Sequence, residues 1–205
     1  MSITNDSVRP AGRPMRTAIT GGIGSGKSYV CRLLKEQGIS VYDCDSHAKR
    51  LMVESPQLRQ RITALIGPEA YSPCSGGAHT LNKAAVASFL MSSADNAKAL
   101  EDIVHPAVID DFLASGMEWV ESAILYESGL YMHVDRIVAV TAPEEVRIAR
   151  VMERDAITKE KALEWIRRQL PQDWIADWAD FIIVNDGQTP LLPQVLKILS
   201  YITNP

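Results

Sequence analysis

TGGIGSGKS, Thr20–Ser28, places four glycines within nine residues and closes on a lysine and a hydroxyl. Gly21-x-x-x-x-Gly26-Lys27-Ser28 has the spacing of a phosphate-binding loop, and its surroundings agree. RTAIT (16–20) reads as a strand, and YVCRLLKEQG (29–38) as a helix with Val30, Leu33 and Leu34 at helical spacing and Gly38 as C-cap. A polyphosphate needs successive backbone N–H groups pointing inward, a conformation that side chains obstruct and glycine permits. The helix beginning near Lys27 adds the positive end of its dipole. Lys27 is expected to reach the β- and γ-phosphates, and the Ser28 hydroxyl to ligate Mg²⁺. Without the Lys-Ser pair the glycines would indicate only a turn.

The rest of the chain bounds what such a loop can serve. A length of 205 residues suits one domain with insertions, and 46% hydrophobic with 22% charged residues is ordinary globular composition. No run approaches the ~18–20 apolar residues of a membrane span, so a soluble protein with no membrane association is expected. The polar start MSITNDSVRPAGRP (1–14) reads as a disordered leader and lacks the apolar centre of a secretory signal. Cys31, Cys44 and Cys74 are scattered, with no CxxC spacing, which fits a cytoplasmic setting. A net charge of −4 argues against a nucleic-acid surface. The segment 147–168 nevertheless holds seven basic residues against four acidic ones, a local anion site.

Further short apolar runs at ISVYD (39–43), ESAILY (121–126), DRIVAVTA (135–142) and DFIIVND (180–186) bring the strands to five. Strands alternating with helical patterns predict an α/β fold with a parallel sheet covered on both faces. Helical stretches around HAKRLM, LNKAAVASFLM and NAKALEDIVHPAVIDDFL fill the region between the second and third strands. They are interrupted by GPEAYSPCSGGAHT (67–80), read as an irregular loop. The expected organisation is a nucleotide-binding core over 15–50, 118–152 and 179–205, a helical insertion over 51–117 and a charged, Trp-containing insertion over 153–178.

The loop indicates a nucleoside triphosphate but not the reaction. YDCD puts Asp43 and Asp45 at the carboxyl end of the second strand, where open α/β sheets bind ligands. A carboxylate there can take a proton from an attacking hydroxyl, or simply cap the next helix. Arg147, Arg150 and Arg154, at i, i+3 and i+7, share one helical face. Such guanidiniums match phosphate oxygens, and with a phosphate loop present they read as part of a lid closing over ATP rather than as a solvated face.

Together these motifs resemble the dephospho-coenzyme A kinase family over roughly 16–187. TGGIGSGKS resembles its loop, YDCD its Asp-x-Asp strand end, IVHP (103–106) its His-Pro, and AILYESGL (123–130) its third-strand signature. DRIVAVTAPEEVRIARVMERD resembles its fourth strand and lid helix, and ADFIIVNDG its last strand. The resemblance implies a three-layer P-loop NTPase fold with a five-stranded parallel sheet, a helical insertion that holds the CoA moiety, and a lid. It implies transfer of the ATP γ-phosphoryl group to the ribose 3'-hydroxyl of dephospho-CoA with Mg²⁺, without an obligatory protein partner. Asp45 resembles the general base, Lys27, Arg150 and Arg154 the charge-stabilising groups, and Gly22, Ile23, Gly24, Ser25, Gly26, Lys27, Ser28 and Tyr29 the ATP cradle. Asn185 to Gly187 resembles a loop near adenine, and Thr20, Asp43, His105 and Glu127 fall on substrate-side motif positions. His105 reads equally as a buried histidine ahead of a helix-starting Pro106.

The chain departs from that pattern at Tyr29, where a small hydroxyl residue is common, at Ala123 for proline, Lys83 for arginine and Val184 for aspartate. In QLPQDWIADWAD (169–180) Gln169 is kept, while Trp174, Ile175 and Trp178 replace basic residues. A kinase for another nucleotide or small alcohol would share the same core chemistry. A GTPase-type switch would carry a DxxG loop and an NKxD reader, and the chain has neither.

Overall fold

The computed structural model describes residues 14–73, 79–93 and 95–203; the leader read over 1–14 lies, up to residue 13, outside them. In chain order the elements are β1 (Thr17–Thr20), α1 (Lys27–Glu36), β2 (Val41–Asp43), α2 (Cys44–Glu54), α3 (Pro56–Ile66), β3 (Tyr71–Pro73), β4 (His79–Leu81), α4 (Lys83–Ser92) and α5 (Asp95–Ser115). They continue with β5 (Trp119–Glu121), β6 (Arg136–Thr141), α6 (Glu144–Asp155), α7 (Lys159–Arg167), α8 (Gln172–Asp177), β7 (Phe181–Val184) and α9 (Leu191–Thr203). Two compact units result, one of residues up to Tyr42 together with those from Met117 onward, the other Asp43–Gly116.

In the first unit a parallel sheet has the order β2-β5-β1-β6-β7. β1, every residue of which is buried, lies at the centre, with Thr17 opposite Trp119 on one side and Arg136 on the other. That position explains its short apolar sequence, since a central parallel strand meets protein on both faces. One face is covered by α1 and α9, through Ile19, Val30, Leu34, Val138, Ile183, Val195 and Ile198. At about 1.5–3 kcal/mol per fully buried aliphatic side chain, this cluster is a main source of the sheet's stability. Two side chains tie the region of α8 to that of β6: Ala142 N, just after β6, donates to Gln172 Oε1 at 3.0 Å, and Ile137 N donates to Oδ2 of Asp180, between α8 and β7, at 2.7 Å. No helix among the described residues is long and apolar enough to cross a membrane.

The third strand of the sheet lies earlier than its apolar run suggested. β5 ends at Glu121, and the residues after it turn, with Ser128 N donating to Ile124 O at 2.9 Å and Gly129 N to Tyr126 O at 3.1 Å. The apolar character of ESAILY reflects the burial of Leu125, not an extension of the strand.

The second unit begins at Asp43 rather than at residue 51, because α2 packs on α3 and α5. Asp43 caps α2, accepting the amides of Asp45 and Ser46, Ser55 caps α3 with Pro56 next to it, and Asn82 caps α4. The stretch read as an irregular loop contains the strands β3 and β4, paired antiparallel with Tyr71 opposite Leu81, while its residues 74–78 lie outside the described residues. Pro106 does not start a helix but sits inside α5. Val104, Val108 and Phe112 bury one face of α5, which packs on α2 and α3, and this burial outweighs the ~3 kcal/mol that an interior proline costs.

Candidate active site

The loop between β1 and α1 is built from its carbonyls outward. Gly21 O accepts from Lys27 Nζ at 2.7 Å, Gly22 O from Ser25 N at 3.1 Å, and Ile23 O from Arg147 Nε at 3.0 Å. Gly24 O accepts from Arg150 Nη1 at 3.3 Å, and Ser25 O from Asn185 Nδ2 at 2.8 Å and Arg150 Nη1 at 3.4 Å. Five successive carbonyls are thus engaged. Their opposites, the amides of Gly24, Gly26, Lys27 and Ser28, donate to no protein acceptor among the described residues. A row of unpaired N–H groups at a helix N-terminus suits an anion.

Two glycines make this conformation possible. Gly24 has φ 79°, and a Cβ on it would lie 2.6 Å from Arg147 O. Gly26, the residue before α1, has φ 95°, and a Cβ there would collide with Asn185 Nδ2. Side chains fail at both positions on backbone conformation and on space.

Electrostatics sharpen the same point. Lys27 is buried, which lowers its pKa from the ordinary lysine value, while the Glu121 carboxylate, Oε1 3.9 Å from Nζ, pulls the other way. Arg147, 5% exposed, is likewise lowered by burial, opposed by Glu144. Two buried hydroxyls, Thr20 Oγ1 and Ser25 Oγ, have no hydrogen-bond partner among the described residues. Desolvated cations and unsatisfied hydroxyls around amides that meet no acceptor among the described residues suit an anionic ligand.

The residues singled out from the sequence separate into groups. Gly22 to Ser28 line this loop, with Ser28 exposed at the first turn of α1; Tyr29 is exposed and carries the Arg32 guanidinium 4.7 Å over its ring. Thr20 is fully buried at the end of β1. Arg150 and Asn185 bind each other, Nη2 to Oδ1 at 3.0 Å, and brace the loop from its carbonyl side. Arg154 is turned to Asp155, Nη2 to Oδ2 at 2.7 Å, although its charge still reaches Lys27. Gly187, at φ 84°, lies in a turn that Asp186 fastens by accepting from the amides of Gln188 and Thr189. Glu127 is exposed and belongs to the turn after β5, so the carboxylate at that strand's end is Glu121.

In the second unit, Asp43 spends its carboxylate on the cap and on Ser46 Oγ, 2.9 Å from Oδ2. Asp45 is exposed in the first turn of α2 and is bonded to Lys49. His105 is half-buried within α5.

Arg147 is legible in the sequence as the first arginine of the i, i+3, i+7 face, though not its bond to the loop; Glu121 was hidden by the misplaced strand. Gln169, whose Oε1 accepts Ile23 N at 2.6 Å, comes from 146 residues away, and only its place in the family-like pattern pointed to it.

A family model described as dephospho-CoA kinase matches residues 15–190. A dephospho-CoA kinase of Bacteroides fragilis is 37% identical over 199 residues, covering 92% of this chain and 93% of that protein. A solved protein of Thermus thermophilus superposes with a TM-score of 0.78 at 29% identity, over 94% of this chain and 100% of its own. A dephospho-CoA kinase structure from Campylobacter jejuni, with a TM-score of 0.65 at 19% identity over 91% of this chain and 96% of its own, shares the fold.

Proposed function

The chain belongs to the dephospho-CoA kinase family, and from that premise we propose that it transfers the γ-phosphoryl group of ATP to the ribose 3'-hydroxyl of dephospho-CoA, giving CoA and ADP. The observation that carries the proposal is the polarity of the loop: Gly21 to Ser25 direct their carbonyls to protein donors, while the amides of Gly24, Gly26, Lys27 and Ser28 stay unpaired among the described residues. Phosphoryl transfer asks little covalent chemistry of a protein; it asks for position and for compensation of spread negative charge.

In this reading the four amides hold the polyphosphate and Lys27 neutralises its outer oxygens. Lys27 already lies in the loop, bonded to Gly21 O, so a short movement of its chain suffices. Among the described residues no group of three or more His, Cys, Asp and Glu is arranged for a metal. The Ser28 hydroxyl would hold Mg²⁺ beside the polyphosphate, where the ion would supply charge neutralisation. Asp45 accepts the proton of the attacking hydroxyl. It is exposed at the start of α2, in contact with Lys49, where an acceptor hydroxyl can reach it. Arg154 approaches the transferred group by leaving Asp155, and Arg150 keeps the loop in shape. Residues 43–116 hold the CoA moiety, α7 and α8 serve as the lid, and a cytoplasmic setting without an obligatory protein partner completes the reading.

The test is acceptor choice. Dephospho-CoA, adenosine and AMP are offered at equal concentration with ATP and Mg²⁺, ADP release is followed, and the phosphorylated position is assigned by phosphorus NMR. Dephospho-CoA consumed fastest and modified at the 3'-oxygen is the expected result. Preference for AMP or adenosine would assign the chain to a different acceptor.

A further inference from the structure

We propose that Gln169 is a direct donor to the terminal phosphate of the bound nucleotide, with its side chain oriented for that task by the loop itself. The proposal rests on the reading of the loop as an ATP cradle. Gln169 follows α7, where its amide donates to Ile166 O at 3.3 Å. Its Oε1 accepts the Ile23 amide at 2.6 Å, and a Cβ placed on Gly22 would lie 3.3 Å from that oxygen, so the carboxamide rests against the first turn of the loop.

A backbone N–H is an obligatory donor, so the carboxamide atom facing it must be the oxygen. This fixes the orientation of the group and directs its nitrogen elsewhere. The two N–H bonds of Nε2 have no acceptor among the described residues. Ile23 is held firmly enough to serve as the reference for this orientation. Its carbonyl accepts from Arg147, and its side chain packs on the cluster of Ile148, Val151, Ala162 and Ile166 that joins α6 to α7. The amides suited to the inner phosphates, those of Gly26, Lys27 and Ser28, follow further along the chain at the start of α1. Gln169 touches the opposite, leading end of the loop, so its free donors suit the outermost phosphate of a triphosphate and not the inner ones.

Two variants separate this role from simple support of Ile23. Gln169→Glu keeps an oxygen for the Ile23 amide but loses the donor; Gln169→Ala removes both without adding charge. Both are measured by calorimetry for ADP and for a non-hydrolysable ATP analogue, after circular dichroism has verified the fold. The expected result is an analogue affinity lowered about tenfold in each variant, as the loss of one hydrogen bond to a charged group brings, with ADP affinity changed far less. Turnover by Gln169→Glu should recover as pH falls and the carboxyl regains a proton to donate. An analogue-to-ADP affinity ratio unchanged in Gln169→Ala overturns the proposal, and Gln169 is then only a brace for Ile23. Failure of the parent protein to bind either nucleotide would instead defeat the cradle reading.

Discussion

Lys27 Nζ stands 3.9 Å from Glu121 Oε1, across the junction of β1 and β5 where Ile19 and Glu121 are register partners. The loop ammonium is thus held in the protein by one carboxylate and the Gly21 carbonyl, with the Gly22 carbonyl at 3.5 Å. Glu121→Gln removes the opposing charge and should destabilise the nucleotide-free protein by about 1–3 kcal/mol, the cost of leaving a buried polar group poorly satisfied. Saturating ATP supplies replacement charge, so the difference in Tm between variant and parent should shrink when nucleotide is added. The pH dependence has a definite sign. Burial holds the folded pKa of Lys27 below its ordinary value, so in the window between the two the unfolded chain binds more protons and stability rises with pH. The penalty of Glu121→Gln should therefore diminish in alkali, as followed by denaturant titration.

Gly24 and Gly38 share a left-handed backbone, φ 79° and 83°, but only Gly24 has neighbours where a side chain would go. Gly38→Ala should cost about 1 kcal/mol, the backbone term alone. Gly24→Ala should cost more and weaken ATP binding, because its Cβ would meet Arg147 O at 2.6 Å. Chemical denaturation with nucleotide titration measures both. Equal stability losses with intact binding in Gly24→Ala would mean the loop adapts.

Tyr126 has a buried hydroxyl without a hydrogen-bond partner among the described residues, and burial pushes its pKa up to about 12, with Asp180 adding to the rise. Tyr126→Phe should leave stability unchanged or raise it by up to about 1 kcal/mol, since an unsatisfied group is removed. In the parent, the unfolded phenol ionises before the folded one, so this residue's contribution is full below the ordinary tyrosine pKa and falls as pH rises toward about 12. Ultraviolet titration should show one late-ionising phenol that the variant lacks.

Asp45 and Lys27 should fail in different ways. Asp45→Asn is expected to lower kcat by about 10²–10⁴-fold, the range of general-base catalysis, with ATP affinity little changed. Lys27→Ala should reduce turnover and ATP affinity together in a folded protein. Equal loss of affinity and turnover in Asp45→Asn would reduce that residue to structural support.

What could be read from the chain alone followed the reach of the interactions. The glycine loop, β1 and α1 are specified within some twenty residues, and their pattern identified them. β5 was misplaced because Leu125 is apolar for packing rather than for strand formation. α5 continues through Pro106 because its burial outweighs the local signal of a proline. Arg147 and Gln169 act on Ile23 from 124 and 146 residues away, beyond what spacing can reveal. Asp43 carried both possible meanings in its sequence, and its cap on α2 is the one that local chemistry favours.

The central place of β1 also governs how the molecule comes into being. Its two neighbours, Trp119–Glu121 and Arg136–Thr141, are synthesised more than a hundred residues later. The first strand to leave the ribosome must therefore wait, without lateral partners, for most of the chain to follow. Nucleotide-binding capacity is a late acquisition of the nascent polypeptide: a chain arrested before residue 119 leaves this motif on an unpaired ribbon, and one arrested before residue 136 still lacks the second neighbour.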